Sequence, residues 1–324
     1  MSSINPKVSV LLPVYQGEKY LPEAIESILN QTVTDFEFII IDDASTDRSA
    51  EIIRSYIDQR IRFLRNDSNL GLIGTLNRGL QEARGEYIAR MDQDDISLPS
   101  RLEKQVAFMD SRAELAASGT WARDIDANGE PCGLRHVPFG KRMKYDFWRP
   151  SPLIHPTSLI RVAHLGAFRY DQQARYVEDF DLWLRLRKTH QLDNLPEYLL
   201  LYRVHDESMS RRNLADQLHA AYESLCRQAG LRLSYEVFRE VVGASALLDP
   251  FRHAMVKRRL ARMLGNPYRP YLMEDLEYAR RWLNFDPKFE SFKSQLVYTL
   301  YRAWRRIKTR TAGDPNLKDR SRLR

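Results

Sequence analysis

The segment MDQDDISLP places three carboxylates, Asp92, Asp94 and Asp95, within four residues. Carboxylates this close repel one another unless a cation sits among them. They follow EYIAR, a short and partly apolar strand-like stretch, and precede a proline and a helix. At the end of a strand they converge on one point instead of spreading around a helix. The pattern reads as a divalent metal site, and such a metal's usual work with phosphates suggests the ligand. An acidic, solvated turn would use the same residues.

The elements before this cluster explain its place. VSVLLPVY reads as a buried strand, and EKYLPEAIESILNQ as a helix with Leu21, Ile25 and Ile28 on one face. FEFIIIDD is a second buried strand, closed by DASTD, with Ser45 or Thr46 expected to cap the helix SAEIIRSYIDQ. IRFLRND, NLGLIGTLNRGLQEAR and EYIARMD follow as strand, helix and strand. This order predicts a parallel, right-handed, doubly wound sheet. Ligands in such sheets bind beyond the carboxyl ends of the strands. Three of those ends carry Pro13-Val14-Tyr15, Asp42-Asp43 and Asp92 to Asp95.

Beyond Arg101 the pattern loosens into a helix (RLEKQVAFMDS), a strand-like LAASGTWARDID, a turn at ANGEP and a Pro-rich RPSPLIHPTSLI. RYVEDFDLWLRLRKTH begins with carboxylates and runs into an amphipathic helix, where acids at the start favour the dipole. After YRVHDESMS the chain reads as mainly helical, with a domain boundary near Ser210–Asn213.

Composition narrows the class. A 324-residue chain, 43% hydrophobic and 29% charged, can bury a sizeable core, and its longest apolar runs are too short to span a bilayer. MSSINPK has no signal-like apolar region, and two cysteines form no disulfide framework or zinc cluster, so the expected location is the cytoplasm. The net charge of +7 is uneven: Phe251 to Arg324 holds 19 Lys and Arg against 7 Asp and Glu, or +12, which leaves −5 for the rest. An acidic front half argues against a nucleic-acid grip across the molecule. Gly71, Gly74 and Gly79 do not match the dinucleotide fingerprint and there is no P-loop, so neither a dehydrogenase nor an ATPase is supported.

VSVLLPVYQGEKYLPEAIESILNQT, FEFIIIDDASTD, GEYIARMDQDD and VEDFDLWLR together resemble the inverting family 2 glycosyltransferases, over roughly Val8 to Ser210. The resemblance implies an α/β fold with a mostly parallel, Rossmann-like sheet of the glycosyltransferase A type; residues 211–324 lie outside it and read from their own pattern as a smaller helical region. It implies that Pro13, Val14 and Tyr15 border the nucleotide base with Glu18 nearby, and that Asp43 accepts from the uracil N3–H. An Asp at that position also suits an Asx turn or helix cap. Asp42 would fix the loop, and Arg65 would approach the base or a phosphate, or lie on the surface. Asp94 aligns with the ligand of Mn2+ or Mg2+, Asp92 with the ribose or the metal's water shell, and Asp95 with a local hydrogen bond. Asp179 matches the general base, and His205 a contact to the diphosphate or metal. The implied reaction transfers a sugar from a nucleoside-diphosphate donor, a UDP-sugar, to a glycan or lipid-linked acceptor. Two other classes use parts of this pattern. A phosphohydrolase places its Asp at the end of the first strand, which here ends in Pro-Val-Tyr, and a non-catalytic binding relative would tolerate loss of Asp179.

Near the C-terminus, LVYTLYRAWRRIKTR sets Leu296, Leu300 and Trp304 on one face and basic residues around the other. Such a helix lies on an anionic membrane surface or packs on its own domain.

Overall fold

A computed structural model of the chain describes residues 5–140, 143, 152–206, 208, 214–229 and 235. In β1 (Val8–Val14) every residue is buried, because both faces of the strand are covered. Val8, Val10, Leu12 and Val14 pack toward α1 (Leu21–Leu29) and α4 (Arg101–Asp110), with Leu21, Ile25, Ile28, Leu102 and Met109. Leu11 points the other way, into a second core with Ile73, Leu76 and Leu80 of α3 (Gly71–Glu82). The period-2 alternation of the strand thus separates two helical layers.

β2 (Phe36–Asp42) and β4 (Tyr87–Arg90) flank β1, and β3 (Ile61–Arg65) lies outside β2; all these pairings are parallel. Between β2 and β3 runs α2 (Ser49–Ser55). Neither Ser45 nor Thr46 caps it, contrary to expectation: the N-cap is Arg48, and Asp47 Oδ1 accepts from Ser49 N–H at 3.0 Å. Ala44 takes a positive φ of 61°, and Ser45 Oγ accepts instead from Gln16 N–H at 3.0 Å.

Beyond β4 the sheet becomes mixed. β5 (Ile96–Ser97), β6 (Leu115–Ile125), β7 (Pro131–Arg135), β8 (Leu159–Arg161) and β9 (Gln191–Arg203) complete an order of β3-β2-β1-β4-β8-β6-β9-β5, with β7 paired to β6. β8 runs antiparallel to both β4 and β6, whereas β6 and β9 are parallel over the longest register of the sheet. Most paired residues are therefore in parallel register, as the sequence predicts. The order reverses between β1 and β4, where a doubly wound sheet opens its ligand crevice.

α5 (Val162–Leu165) and α6 (Glu178–Leu186) follow β8, and α6 buries Phe180, Leu182, Trp183 and Leu186. The chain divides into compact units Met1–Arg232 and Leu233–Arg324. α7 (Leu214–Ala229) belongs to the first and packs on α6. The expected boundary at Ser210–Asn213 and the basic helix near Trp304 lie outside the described residues. Among the described residues no helix is long and apolar enough to cross a membrane.

Candidate active site

The loops after β1, β2 and β4 meet at the crevice. Pro13 and Val14 are buried strand residues, and Val14 C=O accepts from Asp43 N–H at 2.7 Å. Tyr15 is the exposed member of the trio, at 48%. Gln16 has a positive φ of 52°, and its Oε1 accepts from Thr46 N–H at 3.2 Å and Asp47 N–H at 3.1 Å. Glu18 Oε2 accepts from Arg48 N–H at 3.0 Å. Through these bonds the loop after β1 is tied to the loop after β2.

Asp42 and Asp43 divide their work. Asp42 Oδ1 accepts from Ser45 N–H at 3.1 Å and so fixes the loop, while Oδ2 lies 3.1 Å from Arg65 Nε. Arg65 also donates to Ser45 C=O at 2.9 Å. Asp43 is buried, and its Oδ1 accepts from Asn66 Nδ2 at 2.6 Å and Leu70 N–H at 2.8 Å. Those two donors hold one oxygen rigidly and orient the other. Gly71, with φ +73°, allows the turn into α3, and its N–H donates to Asn69 Oδ1 at 2.9 Å.

Asp92, Asp94 and Asp95 each present an oxygen within 4.8 Å of the others. Burial and the neighbouring Asp94 raise the carboxyls of Asp92 and Asp95, although Arg90 lowers both. Asp95 Oδ1 accepts from Arg203 N–H at 2.8 Å, a partner 108 residues away in sequence, whereas among the described residues its buried Oδ2 has no hydrogen-bond partner. Three converging carboxylates, with an orphaned oxygen on Asp95, fit a hard divalent cation. His205 Nε2 lies 2.9 Å from Asp94 Oδ2, so the loop after β9 reaches this cluster.

Asp179 stands in the first turn of α6, just after Tyr176, which has a positive φ of 73°. Its Oδ1 accepts from Phe180 N–H at 2.7 Å. Burial pushes the Asp179 carboxyl up to about 6 and that of Glu178 to about 7, the latter also through repulsion by Asp179. The charges of Arg90 and Asp92 act on both residues. Two carboxylate clusters, far apart in sequence, thus share the field of one buried arginine. The three non-glycine residues of positive φ among those described, Gln16, Ala44 and Tyr176, all sit beside candidate site residues.

Three contributors escaped the sequence reading. Arg90 is buried and paired with Asp92, and an arginine ending an apolar strand was its signal. Arg203, buried at the end of β9, donates to Asp94 C=O at 2.9 Å and pairs with Glu23, and its guanidinium lies 4.5 Å from the Tyr20 ring centre. Gln93 sits between two of the metal-fitting carboxylates and bonds to the backbone of Tyr15. The continuous apolar run YLLLY before Arg203 pointed to the strand that carries it. Nothing in the sequence singles out Gln93.

A mostly parallel sheet thus carries an acidic cluster at its switch point and a second carboxylate pair on a separate helix. The family model "Glycosyl transferase family 2" matches residues 9–168. An uncharacterised glycosyltransferase of Methanocaldococcus jannaschii is 38% identical over 217 residues, covering 64% of this chain and 74% of that one. The O-antigen biosynthesis glycosyltransferase WbnJ of Escherichia coli is 34% identical over 224 residues, 66% of this chain and 86% of WbnJ. The chain belongs to glycosyl transferase family 2 and is a glycosyltransferase. Its fold matches that of S. aureus TarS 1–349 in complex with UDP, at TM-score 0.54 and 21% identity over 84% of this chain and 78% of that one. It also matches the mannosyltransferase PcManGT of Pyrobaculum calidifontis in complex with GDP-Man and Mn2+, at TM-score 0.55 and 16% identity over 93% and 84%. Against the longer TarS structure the chain spans 43% of that protein.

Proposed function

We propose that this glycosyltransferase transfers a sugar, with inversion, from a UDP-sugar to a hydroxyl of a glycan or lipid-linked acceptor. The observation that carries the reading is the half-buried carboxyl of Asp179, set on a different segment from the Asp92–Asp95 cluster and raised by desolvation to about 6. Direct displacement needs the base and the leaving group on opposite sides of the sugar. A carboxylate of raised proton affinity is suited to take the acceptor proton as its oxygen attacks the anomeric carbon.

In this reading Asp43 offers its second oxygen to the N3–H of uracil, and Tyr15 lays its exposed ring along the base. Glu18 and Arg65 hold the surrounding loops, with Arg65 turned toward the nucleotide. Asp94 holds Mn2+ or Mg2+, with Asp92 directed to the ribose or to metal-bound water and His205 steadying Asp94. The metal supplies, when bound, neutralisation of charge on the departing diphosphate. Likeness to a protein named for O-antigen biosynthesis supports the acceptor class, and in this reading the enzyme works on surface polysaccharide from the cytoplasm or the inner face of the membrane.

Calorimetry with UDP, GDP and dTDP, under Mn2+, Mg2+ and chelator, tests the donor site on wild type and Asp94→Ala. Metal-dependent binding of UDP that Asp94→Ala weakens is expected. Preference for GDP would replace uracil in the reading; failure of all three nucleotides to bind would remove the donor site.

A further inference from the structure

Gln93 occupies the position between Asp92 and Asp94, yet its side chain is bonded to the loop after β1 rather than to its own loop. Tyr15 N–H donates to Gln93 Oε1 at 2.8 Å, and Gln93 Nε2 donates to Tyr15 C=O at 3.0 Å. A primary amide that accepts and donates with one residue's backbone stands in for a neighbouring strand. The parallel pairing of β1 with β4 ends at Leu11 and Arg90, and the last backbone bond runs from Met91 N–H to Leu11 C=O at 3.0 Å. Past that point the strand order reverses and the crevice opens. Gln93 spans that opening with its side chain.

The loop on the other side is shaped to receive it. Gly17 is buried, and a Cβ there would lie 2.5 Å from Gln93 Oε1 and 2.8 Å from Gln93 Cδ. The space taken by the Gln93 amide exists because residue 17 has no side chain. Gln16 then carries the connection onward through its bonds to Thr46 N–H and Asp47 N–H. The backbone of Tyr15 is thus held from the acidic loop, while its ring remains 48% exposed at the crevice.

We propose that Gln93 is a positioning residue that couples the divalent cation to the nucleoside pocket. The inference rests on the donor reading given above. Without a cation, Asp92, Asp94 and Asp95 repel one another, and among the described residues it is direct contacts from Arg90, Arg203 and His205 that hold them against that repulsion. A cation that draws Asp92 and Asp94 together fixes the residue between them, and the amide of that residue fixes Tyr15. Metal and nucleoside therefore strengthen each other even where no phosphate bridges them, and linkage makes the effect equal in both directions.

Uridine is the discriminating probe, because it has no phosphate for the metal to hold. Its binding, and that of UDP, is measured by calorimetry with and without Mn2+ on wild type, Gln93→Leu and Gly17→Ala, with thermal melts to establish that each is folded. In wild type, Mn2+ is expected to raise uridine affinity about fivefold, a coupling at the low end of the usual range. Gln93→Leu is expected to abolish that increase and to weaken UDP binding in Mn2+ roughly tenfold, for two lost hydrogen bonds. Gly17→Ala pushes the amide out without altering Gln93, is expected to match it, and decides the matter should Gln93→Leu not fold. UDP binding with uridine affinity indifferent to Mn2+, or an increase that survives in the folded variants, overturns the coupling and leaves the donor site standing. Failure of wild type to bind any nucleotide overturns both.

Discussion

Asp43 is buried and Asp179 half-buried, and their surroundings differ in kind. Asp43 receives two hydrogen bonds on one oxygen, from Asn66 and Leu70, and lies in loops laced together by Gln16, Ser45, Asp47 and Glu18. Among the described residues Asp179 accepts only from backbone N–H groups, that of Phe180 at 2.7 Å, and desolvation raises it to about 6. The first environment fixes an atom in space, which recognition of a base edge requires. The second leaves a carboxylate under-solvated, which raises its hold on a proton. Within one site, geometry is invested on the donor side and proton affinity on the acceptor side.

The sharpest test of that contrast is Asp179→Asn. Turnover should fall ~10²–10⁴-fold while UDP affinity stays within error, because only general-base assistance is removed. Loss of nucleotide binding as well would merge the two sides into one. Next comes the support beneath the base. Asp181 is fully buried and accepts from Arg185 at 2.7 Å and from Ser224 and Arg227 of α7 at 2.6 Å and 3.1 Å. Asp181→Ala strands those donors and should cost roughly 3–5 kcal/mol in chemical denaturation. A loss under 1 kcal/mol would mean that α7 contributes little to holding α6.

The pH dependence reads proton affinity directly. A raised carboxyl is protonated as pH falls through about 6, and a protonated Asp179 cannot accept the acceptor's proton. The turnover rate should plateau above that value and fall about tenfold per pH unit below it. An acid limb near the ordinary carboxylate range would show that Asp179 is not sequestered during turnover. The smallest expected effect is on the donor side. Tyr15→Ala should weaken UDP binding by roughly 1–3 kcal/mol, the range for a base stacked on an aromatic ring, without moving the acid limb.

The same division governs what was legible in the sequence. From Val8 to Asp95 the chain alternates long apolar runs with periodic helices, and each strand end delivers its loop residues to one side. Asp43 and Asp94 could therefore be placed before their contacts were known. Past Arg101 local pattern loses its hold. β8 has three residues, and β9 carries Pro196 and runs parallel to β6 with several register shifts. No periodicity announces such pairings, because tertiary contacts decide them. Arg203 and Gln93 were hidden for the same reason: their partners are 108 and 78 residues away in sequence.

β5, which leads directly out of the acidic loop, pairs with β9 at the end of the sheet order, and Arg203 of β9 grips Asp94, Asp95 and Glu23. During synthesis, then, the first four strands can assemble while the acidic loop still lacks its anchor. It gains that anchor when residue 203 arrives, across separations of 108 and 109 residues. Contacts so distant in sequence form late and slowly. A nascent chain that stops short of β9 carries every carboxylate of the acidic loop but lacks the Arg203 and His205 contacts to Asp94 and Asp95.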